Sequence, residues 1–387
     1  MSVERGDAVG LTRALVRIDS RNPSLVPGAP GEARVARALA DILIAWGFRV
    51  EIVEAGPGRP SVVARIGKSG GRSLMFNGHL DVVGVEGMTH EPWSADSNGH
   101  DGRMYGRGSA DMKGGVAAMC AAAARVSGSL EGEIVVTAVA DEEYESIGTR
   151  SIIERGIRAD AAIVTEPTEL AIMPAHLGFV WLDVTTHGRA AHGSRWDLGV
   201  DAIRHAGLFL AELDRFDCDE LPKRKHALLG RPSVHASLIE GGTGMSTYPD
   251  KCVIRIERRT IPGETPAHVV KELESACERV NERSANFRAE VKQTFAQPPS
   301  DVAVDTPIVA ALSRAIEEGN EKTRIAGMTA WTDAALLNAA GIPAICFGPG
   351  DIRLAHAAEE WIPIAEIERA TEILARFATS WCAQKSL

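Results

Sequence analysis

The sequence predicts an α/β protein into which a smaller α+β domain is inserted. Two observations support this fold class. The first half of the chain and its last part alternate strand-like and helix-like segments, as layered sheets covered by helices do. From about His176 the order changes to β-α-β-β-α-β, the split βαβ arrangement. Because the alternation resumes afterwards, we predict a main domain made of residues 1–177 and 297–387, and an inserted domain of residues 178–296.

Hydrophobic periodicity defines the elements of the main domain. Apolar runs that are short or alternate predict strands, and repeats at three to four residues predict helices. The predicted strands are RVEIVEA, SVVARIG, SLMFNGHLDVV, EIVVTAVA, AAIVTE and IPAICFGPG, and the predicted helices are residues 31–48, 113–126, 148–156 and a C-terminal helix.

The inserted domain follows from the same patterns. Its strands alternate apolar and polar residues, which is typical of a sheet with one face in a core. The predicted strands are FVWLDVTTHG, SVHASLIEGG, KCVIRIERRT and FRAEVKQTF, and the predicted helices are VDAIRHAGLFLAELDRF and HVVKELESACERVNER.

Composition limits the class of function. The net charge of -10 disfavours nucleic acid and acidic membrane surfaces as partners. No apolar run reaches the ~18–20 residues that span a membrane, and the N-terminus lacks the apolar core of a signal peptide. Six cysteines without CxxC spacing indicate reduced thiols and a cytoplasmic protein. A small-molecule substrate is the expectation.

The stretch AVADEEYE (138–145) places three acids at the end of a strand that reads as buried on both faces. Buried carboxylates are costly unless a cation or a metal accepts them. Other predicted strands and turns also end in polar residues. Since strand ends meet at one edge of such a sheet, we expect five of them to converge. These five are His79, Asp111, Glu143, Glu166 and His356.

Two imidazoles and three carboxylates suit a divalent metal such as zinc, cobalt or manganese, and a carboxylate can bridge two ions. Asp81 would then accept the other ring N–H of His79, and Glu142 would be a general base. Each residue alone also has an ordinary interpretation. Asp111 could cap the helix that follows it, and we expect Asp141 to cap a turn or to face solvent.

Five motifs occur in an order and spacing that resemble a known family. They are GHLDVV (78–83), GRGSADMKGG (106–115), DEEYESIGT (141–149), TEPT (165–168) and AHAAEEW (355–361). The chain resembles, over nearly its whole length, the zinc-dependent metallopeptidase and amidohydrolase family of acetylornithine deacetylase, succinyl-diaminopimelate desuccinylase, aminoacylase and glutamate carboxypeptidase.

The resemblance implies two zinc ions, with cobalt or manganese as substitutes, and assigns their ligands. Asp111 would bridge the ions, His79 and Glu166 would complete one site, and Glu143 and His356 the other. The remaining implications concern chemistry and fold. Glu142 would be the base and proton shuttle, Asp81 the partner of His79, and the peptide after Asp111 would be cis. A di-zinc aminopeptidase-like catalytic domain would carry a ferredoxin-like lid that forms a homodimer.

Two motifs of the predicted lid resemble substrate-site segments. In TTHGRAAHGSRWDLGVDAI (185–203), His192 matches a histidine that reaches the partner's active site and donates to the oxyanion. In IERRTIPGE (256–264), Arg259 matches the arginine that holds the substrate carboxylate. Without the resemblance, the first would be a lone loop histidine and the second a solvated charge.

Three further positions are expected at the substrate. Ser246 stands where the family often has an asparagine, which puts the usual substrate contacts in doubt. In the glycine loop FGPGD (347–351), Gly348 and Gly350 match the backbone wall of the substrate pocket.

The predicted reaction is hydrolysis of the amide bond of an N-acyl amino acid, with acetylornithine-like substrates as the first expectation. A dipeptidase or carboxypeptidase of the same family is the alternative within the enzyme class. A non-catalytic protein that binds metal or amino acids is the alternative outside it. Turnover of N-acyl amino acids against dipeptides would separate the first two, and the presence of every ligand and of the base disfavours the third.

Overall fold

The computed structural model describes residues 2–68, 70–96 and 102–385, and the chain divides into two compact units. The first unit comprises the chain up to Pro174, Val302–Ala326 and the chain from Thr332 onwards. The second comprises Ala175–Asp301 and Gly327–Trp331. The predicted insertion, residues 178–296, lies within the second unit.

A mixed sheet forms the centre of the first unit, with strands in the order β1-β2-β5-β3-β6-β14-β7. β5, β3, β6 and β14 pair in parallel, and β1, β2 and β7 join antiparallel. This confirms the predicted α/β class. The strand bounds are β1 Arg49–Glu54, β2 Pro60–Gly67, β3 Leu74–His79, β5 Glu133–Val139, β6 Ala162–Val164, β7 Ile172–His176 and β14 Ala344–Cys346.

Helices pack on this sheet, and the Ala-rich helix α3 is the most buried of those described. Every residue from Gly114 to Ala124 is buried. Small side chains allow α1, α9 and β3 to pack against it on different sides. The helix bounds are α1 Ala8–Val16, α2 Ala33–Ala45, α3 Gly114–Val126, α4 Ile147–Glu154, α7 Pro307–Glu317, α8 Ala334–Ala339 and α9 Ile364–Cys382.

The second unit contains a four-stranded antiparallel sheet in the order β11-β8-β10-β9. Its core includes Phe209 of α5 and Leu273 of α6, packed with Leu182 and Ile254 of the sheet. This strand order with two helices is the predicted ferredoxin-like arrangement. The bounds are β8 Gly178–His187, α5 Ala202–Arg215, β9 Ser233–Gly241, β10 Lys251–Thr260, α6 Pro266–Arg283 and β11 Ala289–Gln297. Two further short strands, β12 Ser300–Asp301 and β13 Ile325–Met328, pair with β7.

Two short strands connect distant parts of the first unit. β4 (Arg103–Tyr105) pairs antiparallel with β15 (Trp361–Pro363), with Trp361 opposite Tyr105. The first of these strands precedes Asp111 and the second follows His356. The ribbon therefore links the two chain segments that carry these residues.

The parallel strands β5, β3 and β6 are neighbours, so their carboxyl ends lie along one edge of the sheet. β3 ends at His79 and β6 at Val164, earlier than the predicted segments SLMFNGHLDVV and AAIVTE. Asp81 and Glu166 consequently stand on loops just beyond the strands. This leaves their carboxylates free to turn away from the sheet.

No helix within the described ranges is both long and apolar enough to cross a membrane. All six cysteines belong to those ranges, and each is a free thiol.

Candidate metal centre and active site

The strand ends of the first unit bring a histidine and several carboxylates together. One ligand atom each from His79, Glu142 and Glu166 lie within 4.8 Å of one another. The same holds for His79, Asp111 and Glu143. His79 belongs to both groups, so the two groups are adjacent and have this histidine in common.

Asp111 lies between the two histidines. Its Oδ1 is 3.0 Å from Nε2 of His79, and its Oδ2 is 3.6 Å from Nε2 of His356. Nε2 of His356 is also 2.9 Å from Oε2 of Glu143. The peptide bond between Asp111 and Met112 is cis, as the resemblance implied. The structure thus brings together all five residues predicted as metal ligands.

The electrostatics of this cluster favour a bound cation. Burial raises the pKa of the Glu142 and Glu166 carboxyls well above the usual range. Burial alone would raise the pKa of Asp111 as well, but the hydrogen bond to His79 and the charges of His79, His356 and Arg107 together outweigh it and lower that pKa. Carboxylates crowded in a buried site repel one another and lack solvent. A divalent cation would stabilise their ionised forms, and imidazole and carboxylate are the donors that zinc and related metals accept.

His79 is oriented by a backbone group. Its Nδ1 is 2.9 Å from the carbonyl oxygen of Asp81, whereas the nearer carboxylate oxygen of Asp81 is 3.7 Å away. The expected carboxylate–imidazole hydrogen bond is therefore replaced by a carbonyl contact. An Nδ1–H that donates to this carbonyl leaves Nε2 facing Asp111.

The Asp81 carboxylate instead holds the acidic turn after β5. It accepts the backbone N–H groups of Glu142 at 3.1 Å and of Glu143 at 3.2 Å. It also accepts a hydrogen bond from Asn22 Nδ2 at 2.8 Å. Asp81 therefore positions the two glutamates by their backbone.

Of the two alternatives expected for Asp141, the structure bears out the cap, because its Oδ2 accepts the backbone N–H of Glu145 at 3.2 Å. This residue is 1% exposed rather than at the surface, and its Oδ1 accepts from Arg59 at 2.9 Å and from Asn22 at 3.0 Å. Arg59 also binds the buried Glu32. Asn22, Glu32 and Arg59 escaped the sequence analysis because they come from separate segments whose spacing carries no motif.

Glu360 and Asp333 were also missed. Glu360 is buried and hydrogen-bonds to the segment that carries Asp111, and the only sequence signal was the paired acids of AHAAEEW. Asp333 is fully buried, accepts a hydrogen bond from Thr149 Oγ1 at 2.5 Å, and has its pKa raised to about 6 by burial.

Gly348 and Gly350 lie in the loop after β14. The N–H of Gly348 donates to Thr168 Oγ1 at 3.1 Å, and the N–H of Gly350 donates to Glu366 Oε2 at 2.8 Å. Both backbone N–H groups thus donate to side chains of the protein itself. The remaining requirement at Gly348 is steric, because an added Cβ would lie 2.5 Å from the carbonyl oxygen of Thr165.

His192 and Ser246 lie on adjoining loops of the second unit. His192 forms a bridge with Thr247, and Gly193 N–H donates to the carbonyl oxygen of Ser246 at 2.8 Å. The imidazole is exposed, and its Nδ1 is 2.8 Å from Ser194 Oγ. The structure therefore places the predicted oxyanion donor and Ser246 side by side.

Arg259 lies on β10, opposite Phe179 of β8. Its guanidinium carbon is 5.4 Å from the centre of the Phe179 ring, and its Nε is 2.5 Å from Glu257 Oε1. This arginine is therefore held between an aromatic face and a carboxylate. The acidic neighbour was not anticipated from the sequence.

The model of the peptidase family M20/M25/M40 matches residues 75–380. The chain belongs to this family. Its members are metallopeptidases and related hydrolases of amide bonds, so the protein is a hydrolase of that class. The resemblance found from the five motifs is confirmed.

Individual relatives span nearly the whole chain. An acetylornithine deacetylase from Myxococcus xanthus is 31% identical over 349 residues, which cover 88% of this chain and 90% of that protein. A deformylase of N-formyl-4-amino-5-aminomethyl-2-methylpyrimidine from Bacillus subtilis is 27% identical, with 93% and 92% covered. The fold matches a dinuclear metal-binding peptidase from Bacillus subtilis with a TM-score of 0.72 at 16% identity, covering 96% and 97%.

Proposed function

We propose that the protein hydrolyses the amide bond of an N-acyl amino acid with the help of two divalent metal ions. The observation that carries this proposal is the position of Asp111 between His79 and His356, with Glu143 hydrogen-bonded to the second histidine. The names of the acetylornithine deacetylase and the deformylase support removal of an acyl group from nitrogen.

Asp111 would be shared by both ions. His79 and Glu166 would complete one site, and Glu143 and His356 the other. Zinc suits this imidazole–carboxylate set, and cobalt or manganese would be accepted. When bound, the metal would supply Lewis acidity and lower the pKa of water towards about 7.

Glu142 is the proposed general base and acid. Its carboxylate is 3.9 Å from His79 Nε2, so it lies beside the metal ligands. In the metal-free protein, burial raises the pKa of this carboxyl, and a general base works best when its pKa lies near the working pH. Glu142 would take a proton from the attacking water and deliver it to the leaving amine.

Residues 178–296 are proposed as a lid and dimerisation domain, and residues 1–177 and 297–387 as the catalytic domain. β9 is an edge strand of its sheet that exposes Leu238 and Ile239, and α5 exposes Ile203 and Leu208. An apolar edge of this kind favours pairing with a second copy of the chain.

The lid would supply three substrate contacts. His192 from a second copy of the chain would donate to the oxyanion, and Arg259 would hold the substrate carboxylate against the Phe179 ring. Ser246 would line the site beside His192, while Gly348 and Gly350 of the catalytic domain would form its backbone wall. The six free thiols suit a reducing cytoplasm, where we place the enzyme.

A substrate panel tests this function. The metal-loaded protein would be assayed on N-acetyl, N-formyl and N-succinyl amino acids and on dipeptides, with release of primary amine as the signal. We expect turnover on one acyl class. Turnover confined to dipeptides would overturn the deacylase proposal in favour of a dipeptidase, which differs in the group on the acyl side of the bond.

A further inference from the structure

The carboxylate of Glu360 is fully buried and receives four hydrogen bonds. Its Oε2 accepts from Arg107 Nη1 at 2.7 Å and from the backbone N–H of Gly108 at 3.0 Å. Its Oε1 accepts from the backbone N–H of Ala110 at 3.0 Å and of Asp111 at 3.1 Å. Both oxygens are thus directed at the chain segment that carries Asp111.

Glu360 also belongs to the segment that carries His356, four residues earlier. Arg107 strengthens the link, since its Nη2 donates to the carbonyl oxygen of Ala357 at 3.2 Å and its Nε to that of Gly84 at 3.0 Å. One carboxylate and one guanidinium therefore connect the backbones of the two segments. These segments carry Asp111 and His356, whose side chains lie 3.6 Å apart.

We propose that Glu360 is a positioning residue, which fixes the backbone of Asp111 relative to His356 so that both side chains can hold the metal ions. This inference rests on the proposed metal centre. Catalytic and metal-binding groups need to be held within ~0.5 Å of the productive geometry. A residue that contacts both ions makes this requirement stricter, because a shift of Asp111 weakens both sites together.

The four donors require a carboxylate of this length. A glutamine at this position would keep one acceptor oxygen, but its NH₂ group would face two N–H donors. An aspartate would keep the charge and lose one methylene, so it could not reach all four donors. Both variants therefore lose part of this set of four hydrogen bonds, one by losing an acceptor and the charge and the other by losing reach.

The test uses Glu360→Gln and Glu360→Asp, with Glu212→Gln as the matched control. Glu212 is a carboxylate of the second unit that is 3% exposed and pairs with Arg215, Arg279 and Arg283. The first readout is zinc affinity, measured by competition with a chromogenic chelator. The second is hydrogen exchange of peptides covering residues 106–113 in the metal-free protein.

We expect both Glu360 variants to lose zinc affinity by about 10–100-fold, the usual effect of removing a group that orients a ligand. Amide protection at Gly108, Ala110 and Asp111 should fall even without metal. The control variant Glu212→Gln should lose stability but keep the wild-type zinc affinity and the wild-type amide protection of residues 106–113. Wild-type zinc affinity and protection in Glu360→Gln, or an equal affinity loss in the control, would overturn the proposal.

Two other outcomes are distinguishable. Absence of divalent ion binding by the wild-type protein would refute the proposed function, and with it the role of Glu360 in metal binding. If neither Glu360 variant folds, the test is hydrogen exchange of the metal-free wild-type protein. Slow exchange of the Gly108, Ala110 and Asp111 amides then supports their hydrogen bonds to Glu360, and fast exchange overturns the proposal.

Discussion

Arg59 neutralises two buried carboxylates next to the acidic turn. It donates to Glu32 at 2.7 Å and to Asp141 at 2.9 Å, and these acids are 0% and 1% exposed. Replacing Arg59 by Met keeps the apolar stem and leaves both carboxylates without their cation. Breaking a buried ion pair from one side costs ~3–5 kcal/mol. This is a large part of the ~5–15 kcal/mol that stabilises a domain.

The assay is native-state hydrogen exchange of peptides from β2 and β5, which reports opening of the first unit rather than of the whole chain. We expect the free energy of opening to fall by ~3–5 kcal/mol in Arg59→Met. The double variant Arg59→Met with Glu32→Gln should recover part of this loss, because one uncompensated charge is removed. A loss below ~1 kcal/mol, the range of an exposed ion pair, would refute the reasoning.

Three further predictions concern the metal site and the lid. The hydrogen bond to Glu143 raises the pKa of His356 to about 9, whereas an unfolded histidine has a pKa of ~6.5. The protonated imidazole therefore stabilises the metal-free fold fully below pH ~6.5, and this stability is lost as the pH rises through about 9. Metal must displace the same proton, so titrations with zinc should show affinity falling as pH drops below about 9, and this fall should be less steep in His356→Gln, where His79 still releases a proton to the metal. Gly348→Ala should cost ~1–3 kcal/mol of stability in denaturation experiments, because its Cβ meets the Thr165 carbonyl; an unchanged midpoint would contradict this. For the proposed dimer, light scattering should give twice the chain mass for the wild type and half of that for Leu238→Glu on the edge strand β9; a monomeric wild type would refute the dimer, and a dimeric variant would place the interface elsewhere.

Much of the fold could be predicted because its signals are local. The alternation of apolar runs and helical repeats identified the mixed sheet, and the order of elements after His176 identified the four-stranded sheet of the second unit. The five proposed ligands could be predicted because each follows a strand or a glycine-rich turn with a recognisable motif. Strand ends were less accurate, since β3 stops at His79 where the apolar pattern continues to Val83.

The network that supports the ligands could not be predicted. Arg59 reaches Asp141 across 82 positions of sequence, and Arg107 reaches Glu360 across 253. Such pairs depend on how segments meet in space, and a single sequence records no distances. The same limit explains why Asp81 was assigned to the His79 ring while its carboxylate binds the backbone of Glu142 and Glu143.

The acidic cluster is proposed to be a two-metal centre served by Glu142. The most direct measurement is metal content together with turnover in the wild-type protein and in Glu142→Gln. We predict two ions per chain in both proteins and a loss of turnover of at least ~100-fold in the variant, as expected for a general acid–base. Full activity in Glu142→Gln, or a wild-type protein that turns over equally well after chelation, would contradict the account.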